Sequence, residues 1–559
     1  MFKDIMASPI SCARGIDDAD TVFSNALLFD PFTCEWIETG FAVKNGIVVG
    51  TGNSYRGDEE IDLKGARVVP GFIDAHVHVE SSLLNPFEYS RLVAKHGTTT
   101  VIADPHEIAN VCGKAGIDYM ISSSEYTAVD ILVMLPSCVP ATPFDESYEV
   151  LDSGILSGYR GLDSVAGLGE MMNAPGVLNE DQEVLKKIDL FTIVDGHAPG
   201  LTGINLNAYI VAGPDSEHEA TTYDEGLEKL RKGMYIYIRE GSTERNLSSL
   251  VPLVKPHTSP RISFCTDDRH ADMLIRDGHI DDCIRKAIKE GTEPETAYRI
   301  ASLSPAERFM LRDRGAISPG RIADFVVLED FMDCKVSKTF KKGKIVPEIK
   351  QPDKVRSPDY SFRKRVPEKD EISISGSGPA RIIGICPGQI ATRSLQYDID
   401  DSIPDTGKDI IKVVVASRYN ENNIGVGLVH GLSLKKGAIA CSISHDSHNI
   451  IAAGTDDDEI ITVIGEVIRT RGGMAAVSGK RTKSMPLSCA GLMSDKPYEI
   501  VHRELKDLNS FVSELGGIEN PFMYLSFLAL TVIPELRITS KGLFDNTSFS
   551  YVTLFLEEH

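Results

Sequence analysis

The chain has 559 residues, enough for two or three domains around a large core. Apolar residues make up 42% and charged residues 25%, as in an ordinary globular protein. A formal charge of −23 argues against a nucleic-acid backbone or an anionic membrane as partner. No apolar stretch reaches the length of a membrane span, and "LSFLALTVI" near the end is too short. The N-terminal "MFKDIMASPISCARGIDDAD" has no apolar signal core, and the ten cysteines form no Cys-x-x-Cys pair. Reduced thiols and a cytoplasmic location are therefore expected.

Residues 20–69 read as short strands, with "FAVKNGIVVGTG" a hairpin turning on Asn45-Gly46. From Val68 the texture changes to strand, loop and helix in alternation. The strand candidates are "RVVPGFI", "TTTVIA", "DILVML", "SVAGLG", "LFTIVD", "MYIYIR" and "RISFC", with a weak one near "IVAGPDSEHE". Two capping boxes are predicted, Thr292 with Glu295 and Ser304 with Glu307. About eight such units fit a (β/α)8 TIM barrel over residues 68–315. An open doubly wound sheet would compete, but there is no Gly-x-Gly-x-x-Gly and no Walker loop. "GRIADFVVLED" and "KTFKKGKIV" are strand-like again. The expected division is a small β-sandwich from 1–67 plus 316–350, the barrel, a Pro-rich linker at 351–371 and a C-terminal α/β domain at 372–559. In that last unit Ile460, Ile461, Ile464, Val467 and Ile468 share one helix face.

The strand ends carry the chemistry. Residues two apart on a strand point to one face, so His76 and His78 can grip one metal ion at a barrel mouth. Other strand ends offer Glu170 in "GLGEMMN", His197 in "VDGHAPG", His218 in "SEHEA" and Asp267 in "FCTDDRH". Four imidazoles and two carboxylates exceed the needs of one catalytic zinc, and they suit two divalent ions. His76, His78 and Asp267 are assigned to one ion and His197 and His218 to the other. Glu170, with two oxygens, bridges them beside a hydroxide.

This pattern resembles the amidohydrolase superfamily, whose barrel-entry and sandwich-return segments are similar to "VVPGFIDAHVH" and "GRIADFVVLE". The slot that many members fill with a carbamylated lysine holds Glu170. The chain more closely resembles bacterial and archaeal adenine deaminases through "GFIDAHVHVESS", "ADPHEIANV", "GLGEMMN", "DGHAPGL", "CTDDRHADML" and "SHDSHN", over essentially its whole length. The resemblance implies hydrolysis of adenine to hypoxanthine and ammonia in purine salvage, and it tilts the metal to Mn(II) or Fe(II). An all-N/O donor set also accommodates Zn(II). Attack at C6 requires proton transfer to the ring nitrogen and to the departing amine. Asp267 is the expected base. Glu107, in "ADPHE", is the expected ring-nitrogen donor and needs a raised pKa, while His106 polarises or hydrogen-bonds the substrate. His445, Asp446 and His448 are read either as a segment that closes over the mouth and contacts purine or metals, or as a turn whose Asp and Ser cap a neighbouring helix. The expected partners are adenine and water, and a homodimer is expected for a soluble enzyme. Two competing functions are a cyclic-amide hydrolase of the hydantoinase or dihydroorotase type and a non-enzymatic metal-binding scaffold.

Overall fold

The computed structural model describes residues 7–346, 355–400 and 403–556, so part of the expected linker, 351–354, lies outside the described residues. Eight parallel strands alternate with helices: β1 (Phe72–Val77), β2 (Thr98–Ala103), β3 (Asp130–Leu135), β4 (Val165–Met171), β5 (Val194–Gly196), β6 (Ser216–Glu217), β7 (Tyr235–Arg239) and β8 (Ile262–Cys265). Strands β1 to β5 pair in sequence order, as do β6 to β8. The ring closes where Asp267 N–H donates to His76 O at 3.0 Å and His78 N–H donates to Asp267 O at 3.3 Å. Its other seam is the bond from Asp215 N–H to Val194 O at 3.2 Å. Ala75, Ile102, Met134, Ile193, Tyr237 and Cys265 fill the interior as one buried cluster, so the barrel is a packed core with its chemistry left to the rim.

The run "RVVPGFI" is not a single strand. Arg67–Pro70 pairs antiparallel with Phe325–Asp330 of the flanking sheet, and β1 starts only at Phe72. Gly71 makes the break. Its N–H donates to Asp324 O at 3.0 Å while Phe72 N–H donates to Gly97 O at 2.9 Å, so adjacent donors serve different layers. A Cβ on Gly71 would fall 2.2 Å from Thr99 Oγ1, which restricts the position to glycine.

The strands from residues 19–70 and 325–345 form one eight-stranded sheet. Its hairpin turns at Asn45 and Gly46, both with positive φ (54° and 75°), as a two-residue primed turn requires. Phe41 and Phe325 stand three strands apart, which would be about 14 Å in a flat sheet. Their ring centroids are 5.1 Å apart, so the two halves of the sheet face each other across a phenylalanine core.

Neither predicted capping box forms. Pro294 starts its helix after Glu293, and Glu295 instead accepts a hydrogen bond from Trp36 Nε1 at 2.9 Å. Ser302 precedes the next helix, and Ser304 donates to Ser259 O at 2.8 Å. Tertiary partners outcompeted the local cap in both cases.

A second eight-stranded sheet occupies residues 378–486. The helix Asp457–Arg469 covers one face with Ile460, Val463, Ile464 and Val467 buried, and Ile461 and Ile468 at its margin. Asp456 caps it by accepting from Glu459 N–H at 3.1 Å. The opposite face contributes Val413, Val415 and Ile439 to a core shared with Val77, Leu84 and Phe87 of the barrel. That shared core fixes the C-terminal unit over the rim. The described stretch 355–371 hugs the surface: Arg363 is buried and donates to the carbonyls of Ser417 and Glu421 at 3.2 and 2.8 Å. Among the described residues no helix is long and apolar enough to cross a membrane.

Candidate active site

The rim brings together all six metal-ligand candidates. His76 and His78 place their Nε2 atoms 3.2 Å apart, and Asp267 Oδ1 lies 3.4 and 3.0 Å from them. Glu170 Oε1 is 3.3 Å from His78 Nε2, while its Oε2 is 2.6 Å from His197 Nδ1 and 3.2 Å from His218 Nε2. Every one of these side chains is buried. Apart from the 2.6 Å hydrogen bond between His197 and Glu170, the separations fit metal ligands, since donors about 2.1 Å from a shared ion stand about 3.0–3.4 Å apart in octahedral or tetrahedral arrangements. The grouping is less partitioned than expected, because His218 stacks on His76 with centroids 4.3 Å apart and also clusters with Asp267.

Neighbouring groups hold these donors in place. His78 Nδ1 bonds the Asp104 carbonyl at 2.9 Å, which makes Nδ1 the protonated nitrogen and leaves Nε2 free to ligate. The Asp104 carboxylate accepts from Glu170 N–H at 2.9 Å. Tyr209 Oη accepts from His197 N–H at 3.0 Å and donates to Met171 O at 2.7 Å, tying the ends of β4 and β5 together.

Two partners were missed in the sequence. Arg239 ends β7 and donates to Asp267 Oδ2 at 2.5 Å and to Glu219 at 2.5 and 2.8 Å. Glu219 follows His218 directly and lies 3.5 Å from its Nε2. Tyr237, two residues before Arg239, is buried inside the barrel, so the period of a strand pointed to Arg239.

The electrostatics follow from burial. Desolvation raises the Glu170 and Asp267 carboxyls, but the imidazoles around Glu170, and Arg239 with His76 and His78 around Asp267, hold both well below the usual range. Desolvation depresses His197, yet the Glu170 charge carries it up to about 9. Asp268 and Arg269 are supporting groups. Ser81 Oγ donates to Asp268, and Arg269 pairs with Asp282 at 2.5 Å.

His106 sits between Glu170 Oε1 at 3.6 Å, Glu107 Oε1 at 3.6 Å and Asp446 Oδ1 at 3.7 Å. Glu107 departs from its expected state. Its two oxygens face His445 Nδ1 and His448 Nε2. Burial pushes its carboxyl up, but the charges of His445, His448 and His106 outweigh that and hold it well below the ordinary value. The raised pKa expected of a ring-nitrogen donor is absent because the C-terminal unit supplies two imidazoles that the barrel alone lacks. The segment 445–448 thus lies over the mouth.

The space between these groups is about 20 Å³, lined also by Phe527 and Leu530. It adjoins a cavity of about 230 Å³ that shares Glu219, Arg239 and Ile390 and is walled by Gln389, Ile533 and Pro534 of the C-terminal unit.

Residues 67–346 match the amidohydrolase family, and residues 389–550 match the adenine deaminase C-terminal domain. The chain is 56% identical over 551 residues to an adenine deaminase of Methanoregula boonei, covering 98% of this chain and 99% of that protein. It is 57% identical over 520 residues to an adenine deaminase of Methanoculleus marisnigri, covering 92% and 100%. The chain belongs to the adenine deaminase family. A β-aspartyl dipeptidase of Fervidobacterium islandicum AW-1 overlays on 60% of this chain and 97% of its own at 16% identity, with a TM-score of 0.44. Membership of the adenine deaminase family, with clustered N/O donors at the rim, makes the chain a metal-dependent hydrolase of carbon–nitrogen bonds whose reactants are a small molecule and water.

Proposed function

We propose that this chain hydrolyses adenine to hypoxanthine and ammonia with two divalent ions held by His76, His78, Glu170, His197, His218 and Asp267. The observation that carries the reading is the Glu170 carboxylate, which turns one oxygen to His78 and the other to His197 and His218. Bound there, the ions supply Lewis acidity and lower the pKa of water. The all-N/O donor set accommodates Mn(II), Fe(II) and Zn(II) alike, and the family resemblance favours Mn(II) or Fe(II).

The protein's own groups then divide the remaining tasks. Asp267 accepts the proton of the attacking water through Oδ1, while Arg239 on Oδ2 keeps the carboxylate from rotating away. The purine enters through the larger cavity, with C6 at its narrow end and the ring between Ile390, Phe527 and Leu530. His106 faces that narrow end and hydrogen-bonds the ring nitrogen that gains a proton. The amine leaves with the second proton as ammonia, so adenine and water balance hypoxanthine and ammonia. Glu107 positions the C-terminal imidazoles and is not the free acid. The chain acts as a cytoplasmic homodimer, with the flanking sheet running through Pro70 and resuming at 316–350, the barrel from Phe72 to 315, and a C-terminal unit at 372–559 after a linker at 351–371.

One assay tests the reading. The chain is loaded with Mn(II), and ammonia release from adenine, adenosine, guanine and cytosine is followed alongside bound metal per chain. Release from adenine with two barrel ions is expected. Full metal loading without ammonia from adenine would overturn the proposal.

A further inference from the structure

Glu107 opens the short helix His106–Cys112 beyond β2, while His445 and His448 lie in the connection between the strands Ala438–Cys441 and Ile450–Gly454 of the C-terminal sheet. The three side chains are at most 3% exposed, and their donor atoms lie within 4.8 Å of one another. Two imidazoles and a carboxylate are a set that Zn(II), Mn(II) and Fe(II) all accept. Both residues are held in place. His445 stacks on Phe527 at 4.6 Å, and the backbone of His448 is gripped by Arg418 Nε donating to its carbonyl at 2.7 Å.

Charge points the same way. Glu80, Asp268 and Asp446 are buried around Glu107. Among the described residues, no lysine or arginine lies within ion-pair distance of any of these four acids. Glu80 Oε2 and Asp446 Oδ2 are buried without a hydrogen-bond partner, and so is His448 Nδ1. The nearby Arg418 spends its guanidinium on the carbonyls of His448, Ala490 and Ser442. Buried polar atoms left without a partner are costly, and a cation bound among them relieves that cost.

We propose that Glu107, His445 and His448 bind a further divalent cation, separate from the barrel donors, that pins the C-terminal sheet to the barrel rim. The inference does not depend on how many ions the barrel holds. The test is anomalous diffraction at the Mn edge from crystals of the full chain grown with saturating Mn(II), paired with metal counts after equilibrium dialysis. A peak between Glu107 and the two imidazoles is expected. The double variant His445→Asn/His448→Asn is expected to lose one ion per chain and this peak alone. Glu170→Gln is expected to retain it while losing occupancy at the barrel. The wild-type map needs no variant to fold, and circular dichroism with gel filtration checks the variants. Absence of density at this position, or a metal count unchanged by the double substitution, overturns the proposal. Absence of the barrel peaks alone would instead refute the two-ion reading.

Discussion

Arg239 gives the sharpest test of how the rim is held together. Its guanidinium is the one fixed positive charge bonded to both Asp267 and Glu219, at 2.5 Å to each, and all three side chains are buried. Arg239→Met keeps most of the apolar volume and deletes the charge, leaving two carboxylates facing each other in a desolvated site. Removing one partner of a buried pair costs about 3–5 kcal/mol. For a unit the size of the barrel, that corresponds to a midpoint lowered by roughly 6–20 °C. The measurement is thermal unfolding of wild type and variant in a chelating buffer, so that no cation substitutes for the lost arginine. A loss below about 1 kcal/mol would refute the reasoning, because it would mean that the two acids carry no uncompensated charge. Arg239→Lys keeps the charge but not the fork, and an intermediate loss is expected.

Glu170→Gln should lower the barrel-bound metal below two ions per chain and suppress ammonia release, and retention of both barrel ions at full rate would remove its bridging role. His197 is pushed up to about 9 by Glu170, so metal uptake at pH 7 should release protons and apparent affinity should rise towards pH 9; calorimetry in buffers of different ionisation enthalpy reads this, and zero proton release contradicts it. Burial raises Glu244 to about 8; a raised acid stabilises below its unfolded pKa and loses that contribution as pH rises through the folded value. Glu244→Gln should therefore flatten the fall of the metal-free midpoint between about pH 4.5 and 8, and parallel wild-type and variant curves would exclude it. Arg537 donates to the carbonyls of Phe527, Ile533 and Pro534 at 2.7 Å and of Ile390 at 2.9 Å, all lining residues of the two cavities. Arg537→Lys should raise KM for adenine about tenfold with barrel metal retained, and an unchanged KM would detach this arginine from the wall.

The features legible in the sequence are those with short-range periodicity. His76 and His78 were readable because a strand repeats every two residues, and the Asn45-Gly46 hairpin because its turn demands positive φ. β6 was faint for a physical reason. It has two paired residues, too few for an apolar run, so its position rested on His218. Arg239 is the charged last residue of "MYIYIR", and its role depends on Asp267 just beyond the end of the neighbouring strand β8, which "MYIYIR" alone does not show. The missed capping boxes failed because Glu295 and Ser304 found partners in distant segments. The union of Glu107 with His445 and His448 spans more than 330 residues, a separation to which no local pattern gives access.

The placement of Ile390, His445, Phe527 and Arg537 has a consequence for biosynthesis. A nascent chain exposes its barrel well before the ribosome reaches these positions, at about 5–20 residues per second. Translation products that stop short of these positions therefore carry an open, unfinished rim, and competence arrives only when the segments bearing Phe527 and Arg537 dock.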